Sequence, residues 1–174
     1  MNYYDVTVPA FIRILSQTHR WFDKAKAHAD QKKYDVNVLL PARLAPDQFH
    51  FARQIQGLSD QIKGAVARLA GVQPPSFEDN EKTVDELRAR VDKTIAFLKT
   101  LKPEQFQGAA ERTITLPFIP GKGLKGSDYL TVFVLPNVYF HATTAYAILR
   151  HNGIDVGKAD FIGDLPLFDV PKSA

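Results

Sequence analysis

The chain has 174 residues, 45% of them hydrophobic and 24% charged, with 22 Lys and Arg against 19 Asp and Glu, five His and no Cys. A chain of this length hides roughly 70% of its unfolded surface on folding, so its core needs no disulfide or metal. The absence of Cys excludes a disulfide framework, a thiolate zinc site, an iron–sulfur cluster and a Cys nucleophile. Histidines and carboxylates remain for any metal or acid–base chemistry. The net charge of +3 is spread along the chain rather than gathered into a basic stripe with aromatics, so no nucleic-acid partner is expected. The densest basic cluster, Lys24, Lys26, Lys32 and Lys33, falls at a helix end, where cations complement the dipole and read as a solvated face.

The first ten residues contain Asp5 and Pro9 and lack the charged start and apolar run of a secretory signal. The most apolar stretch, Tyr129 to Leu149, is interrupted by Thr131, Pro136, Asn137, His141, Thr143 and Thr144. It therefore reads as a buried helix of a soluble bundle rather than a membrane span. A single cytoplasmic domain over residues 1–174 is expected, with an irregular tail from about residue 154.

Periodicity predicts four helices. The first runs from about Val6 to Ala29, with Val8, Phe11, Ile12, Leu15, His19, Phe22, Lys26 and Ala29 repeating every three or four residues. The second is predicted to open at Ala45-Pro46-Asp47 and to close at Gly71, a natural C-terminal stop. Its core face is Phe51, Ile55, Leu58, Ile62, Val66 and Leu69, with Gly57 and Gly64 on roughly the opposite side. Those glycines are either a place for close approach by another helix or simply tolerated. The third follows a capping box, Thr83-Val-Asp-Glu86, and its seam of Val84, Leu87, Val91, Ile95, Leu98 and Leu101 ends before Pro103. Asp85, Arg88, Arg90, Asp92 and Lys93 are assigned to its solvent side.

Between Gln107 and Ser127 the β-branched run Arg112–Leu116 and the turn Pro120-Gly-Lys-Gly123 predict a short hairpin or extended flap. The fourth helix spans about Asp128 to His151, with Pro136 expected to kink or split it. Being apolar almost all round, it is expected at the centre of the core. The tail is expected to be irregular, with Gly157, Gly163, Pro166 and Pro171, and to pack over the bundle through Phe161, Leu165, Leu167 and Phe168.

Within the fourth helix Asn137, His141 and Thr144 share a face at i, i+4 and i+7. Buried polar groups need partners, an unsatisfied one costing about 1–3 kcal/mol. The stripe therefore lines either a polar cavity or a closed hydrogen-bond network. The run Asn137-Val-Tyr-Phe-His141 through Leu149-Arg150-His-Asn-Gly153 resembles the last bundle helix of the DinB-like (YfiT-like) superfamily. Its members carry H-x-x-x-H on that helix, then a Leu-Arg pair and Gly, with a further His on the second helix completing a triad for a divalent metal. Leu135 to Gly153, together with Arg43-Leu-Ala-Pro-Asp47 and Gly157-Lys-Ala-Asp160, is more narrowly similar to a branch described only as a domain of unknown function. The resemblance implies an all-α, DinB-like four-helix bundle with a short β-hairpin-like insert before the last helix. It also implies a homodimer and, in members with the full triad, thiol-dependent transferase or isomerase chemistry.

Counting back from Leu149-Arg150 and Gly153 places the superfamily's second His on His141 and its first on Asn137, a neutral amide and a poor ligand for a transition metal. His50, the only His in the second helix, points well over 90° from the centre of the Ile55/Ile62 face by helical arithmetic. His19 lies on the first helix's seam, where the motif calls for no ligand. The candidate pocket is thus Asn137, His141, Thr144 and His19, and the candidate ligands of a divalent metal of Zn or Ni type are His141 and His50. Three readings stay open: a small-ligand-binding or structural module with a degenerate metal site, a metal-dependent transferase, and an oligomer whose purpose is interaction.

Overall fold

The computed structural model describes residues 2–170. Four helices form the bundle: α1 (Tyr3–Lys32), α2 (Phe51–Ala70), α3 (Val84–Thr100) and α4 (Gly126–His151). A two-stranded hairpin, β1 (Thr113–Thr115) and β2 (Gly123–Lys125), precedes α4, and a short α5 (Lys158–Ile162) follows it. The all-α bundle with its hairpin insert is as the sequence predicts; Ile114 is buried and pairs antiparallel with Leu124. Of the tail residues, Pro171 lies outside the described residues.

Asn2 and Asp5 form a capping box that starts α1 ahead of the predicted Val6, and Pro9 sits within the helix. Val8, Phe11, Leu15, Phe22 and Ala29 of the predicted seam are buried, but the buried face extends to Ile14, Thr18, Trp21 and Ala25, whereas Ile12, His19 and Lys26 are only half-buried. The cause is α5, which covers that side. Trp21 Nε1 donates to the Asp160 carbonyl at 3.0 Å and its ring stacks on Phe161 at 5.7 Å, while Lys24 pairs with Asp160 at 2.7 Å. Lys26 pairs with Asp85 on α3 at 3.0 Å, so two of the four lysines read as a solvated face hold elements together.

Helix α2 begins five residues after the predicted Pro46. The Phe51 and Ala52 N–H groups donate to the Ala42 and Leu40 carbonyls at 2.8 and 3.1 Å, a long-range anchoring that no local cap signal encodes. Residues 41–50 form a turn segment against it, and Gly71 (φ 72°) closes the helix through bonds to the Ala67 and Arg68 carbonyls. Fifteen of its 20 residues are buried, including the whole predicted face. Only seven of the 17 residues from Leu135 to His151 are buried. The central helix is therefore α2, and the prediction that α4 is central is corrected: Val132, Tyr139 and Phe140 on its outer side are exposed.

Helix α4 is long and apolar enough to cross a membrane, yet its inner residues Val134, Val138, Ala142, Ala145 and Ile148 pack in the core against α2. Pro136 neither splits it nor stops it. The turn from Tyr129 to Val134 widens to π-helical geometry, with the Leu135 N–H reaching back to Leu130. This register change accommodates a proline that has no N–H to donate. The tail departs from expectation beyond Phe161: Leu165, Leu167 and Phe168 are 59%, 84% and 84% exposed, because no element offers them an apolar face beyond α5.

Packing of α4 on α2 depends on Gly57. A Cβ there would lie 2.7 Å from His141 Cε1 and 2.9 Å from Nδ1, whereas one at Gly64 would meet only the tip of the Arg68 side chain at 2.8 Å. Close approach is thus the answer at Gly57 and tolerance at Gly64. Helix propensity favours Ala over Gly by up to about 1 kcal/mol, and overpacking a buried site costs about 1–3 kcal/mol. Gly57→Ala is expected to lower unfolding free energy by about 1–2 kcal/mol, and Gly64→Ala to leave it unchanged or raised by up to about 1 kcal/mol. Urea denaturation of both variants checks the contrast; equal effects would contradict it.

Candidate functional site

The His141 ring is buried between α4 and α2, 8% exposed, and its Nδ1 lies 2.8 Å from Gln54 Oε1. Gln54 is fully buried, and its Nε2 donates to the Phe49 carbonyl at 3.1 Å. That second bond fixes the amide with its oxygen toward the imidazole, so Nδ1 carries the proton and donates to Gln54. Nε2 is then the acceptor nitrogen of the neutral ring. It has no protein hydrogen-bond partner among the described residues and is not sealed from solvent. Burial pushes the His141 pKa down, reinforced by the positive charge of Arg53 and opposed by Asp60, so the ring is neutral at pH 7.

Two exposed rings belong to residues of this cluster. Phe140 meets His141 edge-on at 5.5 Å between centroids, and Phe49 lies under the Arg53 guanidinium at 5.6 Å. Thr144 is buried one turn beyond His141 and Asn137 is half-buried one turn before it. Of the stripe, His141 joins a hydrogen-bonded chain running through Gln54 to the Phe49 backbone.

His50 and His19 make other contacts. His50 is the N-cap of α2, its Nδ1 accepting from the Arg53 N–H at 3.3 Å. His19 faces α3, its Nε2 3.2 Å from Asp92 Oδ1 but without hydrogen-bond alignment. Burial lowers its pKa against the pull of Asp92. Among the described residues no three His, Cys, Asp or Glu side chains converge as a metal-binding group.

Sequence reasoning missed the ionic network behind the site. Arg90, assigned to the solvent side of α3, has a side chain only 1% exposed and pairs with Asp60 at 2.7 Å, Asp79 at 2.9 Å and Glu81 at 2.8 Å. Gln56 donates to the other Glu81 oxygen at 2.8 Å, Lys63 pairs with Asp60 at 2.6 Å, and Arg53 pairs with Asp79. The network pins the loop carrying Phe77 to Glu81 onto α2 and α3, with Arg90 and Lys63 both over the Phe77 ring. Through Arg53, which sits beside Gln54 in sequence, it also sets the charge facing His141. The only sequence signal was the three carboxylates Glu78, Asp79 and Glu81 in a loop between two helices.

Burial alone would raise the Glu81 carboxyl, but hydrogen bonds from Arg90 and Gln56 outweigh it and hold the group below its ordinary value of 4.5. Its stabilising contribution is therefore present above about pH 4.5 and is lost as pH falls through the lower folded-state value. Arg90→Met is expected to cost about 3 kcal/mol, the low end for breaking a buried ion pair, because Asp60 and Asp79 keep some solvent. Urea midpoints measured from pH 7 down to pH 3 check both statements: the native protein loses stability on acidification more steeply than Arg90→Met.

The family model for the domain of unknown function DUF1993 matches residues 3–162. The crystal structure of a DinB family member protein from Shewanella denitrificans is similar to this chain at 44% sequence identity and a TM-score of 0.92, over 97% of this chain and 95% of that one. A search of the curated proteins finds no match. The match over the bundle and α5 shows that the chain belongs to the DUF1993 family, with a DinB-like bundle fold.

Proposed function

We propose that the protein is a small-molecule-binding module whose recognition centre is His141, a degenerate form of the DinB-like metal site in which Asn137-x-x-x-His141 stands in place of H-x-x-x-H. The observation that carries this reading is the tautomer lock: Gln54, itself held by the Phe49 carbonyl, accepts from the protonated Nδ1 and leaves Nε2 as a neutral acceptor. A ligand that donates an O–H or N–H to Nε2 would rest its apolar body on the exposed Phe140 ring. Asn137, one turn earlier, supplies a neutral amide rather than a ligand field.

One feature favours a second reading. A metal-bound His donates its other ring N–H to a carbonyl or carboxylate that orients it, and the Gln54 contact has that form. A divalent ion on His141 Nε2 with His50 as a further ligand would require His50 to give up its capping bond to Arg53. The cost of losing such a cap is about 1 kcal/mol.

Nitrogen-15 NMR of the imidazoles separates the two. Phenol, the simplest aromatic O–H donor, is expected to shift the His141 Nε2 resonance saturably, with the effect lost in His141→Phe and retained in His50→Ala. A thermal midpoint raised several degrees by zinc or nickel chloride, and not raised in His50→Ala, would instead establish the metal reading.

A further inference from the structure

A groove of about 930 Å³ runs between the hairpin and the C-terminal end of α2, and none of its lining residues belongs to the His141 cluster. Three cations line it, Arg68, Arg112 and Lys122, and no carboxylate does. None of the three has an ion-pair partner among the described residues, whereas Arg20, Arg53, Arg88, Arg90 and Arg150 each sit on an Asp or Glu. The partners that Arg68 and Arg112 do have are neutral. Arg68 donates to Tyr129 Oη at 3.3 Å, and Arg112 donates to the Leu69 and Gln107 carbonyls.

Those bonds explain part of the arrangement, since cations near a helix C-terminus offset its negative end. That end carries only about half a charge, against three positive charges in the groove. Each guanidinium also has five N–H donors, and none of the remaining ones on Arg68 or Arg112 is buried without a partner. Beside the cations, Ile114, Leu116 and Ile119 line both this groove and an adjoining apolar cleft of about 170 Å³. Cations and a branched aliphatic floor lining one groove, with Lys122 shared between the groove and the apolar cleft, describe a site for an amphipathic anion.

We propose that this groove binds a small organic carboxylate with an aliphatic body, of the size class of a medium-chain fatty acid. The carboxylate is held by Arg68 and Lys122, with Arg112 adding charge while it anchors the end of α2. The chain lies on Ile114, Leu116 and Ile119. Charge-assisted contacts from a planar guanidinium fork suit a carboxylate better than any neutral head group.

Isothermal titration of the full chain with decanoate tests this, with decan-1-ol as the uncharged control. Saturable decanoate binding is expected, weakened at least about tenfold in the Arg68→Gln/Lys122→Gln double variant and weakened by added salt. Decanol is expected to bind at least about tenfold more weakly than decanoate. Arg112 is left in place because its carbonyl bonds hold α2. Should Arg68→Gln disturb folding by circular dichroism, Lys122→Gln alone, at an exposed hairpin position, is expected to weaken decanoate binding measurably. No saturable heat, equal affinity for decanol, or decanoate affinity unchanged by the substitutions would overturn the proposal.

Discussion

The contact on which the bundle turns is the one between the His141 imidazole and the bare backbone of Gly57. Because Gly57 has no Cβ, the ring occupies the space where one would stand, and α4 comes close enough for Nδ1 to reach Gln54 at 2.8 Å. The His141–Gln54 bond between the two helices follows from that approach. Gln54 is oriented by a carbonyl in the segment before α2, and that same segment supplies the carbonyls of Leu40 and Ala42 that fix where α2 begins. The start of α2, the tautomer of His141 and the packing of α4 are therefore one construction.

A second constraint holds the opposite side of α2. Arg90 is buried among three carboxylates, and an ion of this kind is stable away from water only when all its neighbours are in place. Its partners come from α2 and from the loop before α3, so the network closes a long connection that has no regular structure of its own. Arg53 belongs to this network and also acts electrostatically on His141. The loop and the candidate site thus share a residue, and the Arg53 charge adds to burial in lowering the His141 pKa.

The sequence was most legible where the determinants are local. The Thr83/Glu86 capping box, the left-handed stop at Gly71, the Ile114 hairpin and the seams of α2 and α3 all depend on residues within a few positions of one another, and each is found where expected. Features set by distant partners were not legible. The start of α2 is fixed by carbonyls nine and twelve residues earlier. The burial of Arg90 is fixed by acids on other segments, and the face of α1 by α5, more than 130 residues away in sequence. For the site, helical arithmetic placed Asn137, His141 and Thr144 on one face, and the glycine at 57 hinted at a close approach. Gln54 gave no signal, because a glutamine on a helix is ordinarily solvated and only the arrival of His141 gives it a partner.

A double-mutant cycle between Gln54 and His141 tests the central interaction most directly, using Gln54→Leu, His141→Phe and the pair, each measured by urea denaturation. Residues joined by a buried hydrogen bond should show a coupling energy of about 1–2 kcal/mol, with the double variant less destabilised than the sum of the singles. Additive effects within experimental error would mean that the two side chains act independently and that the tautomer lock does not exist.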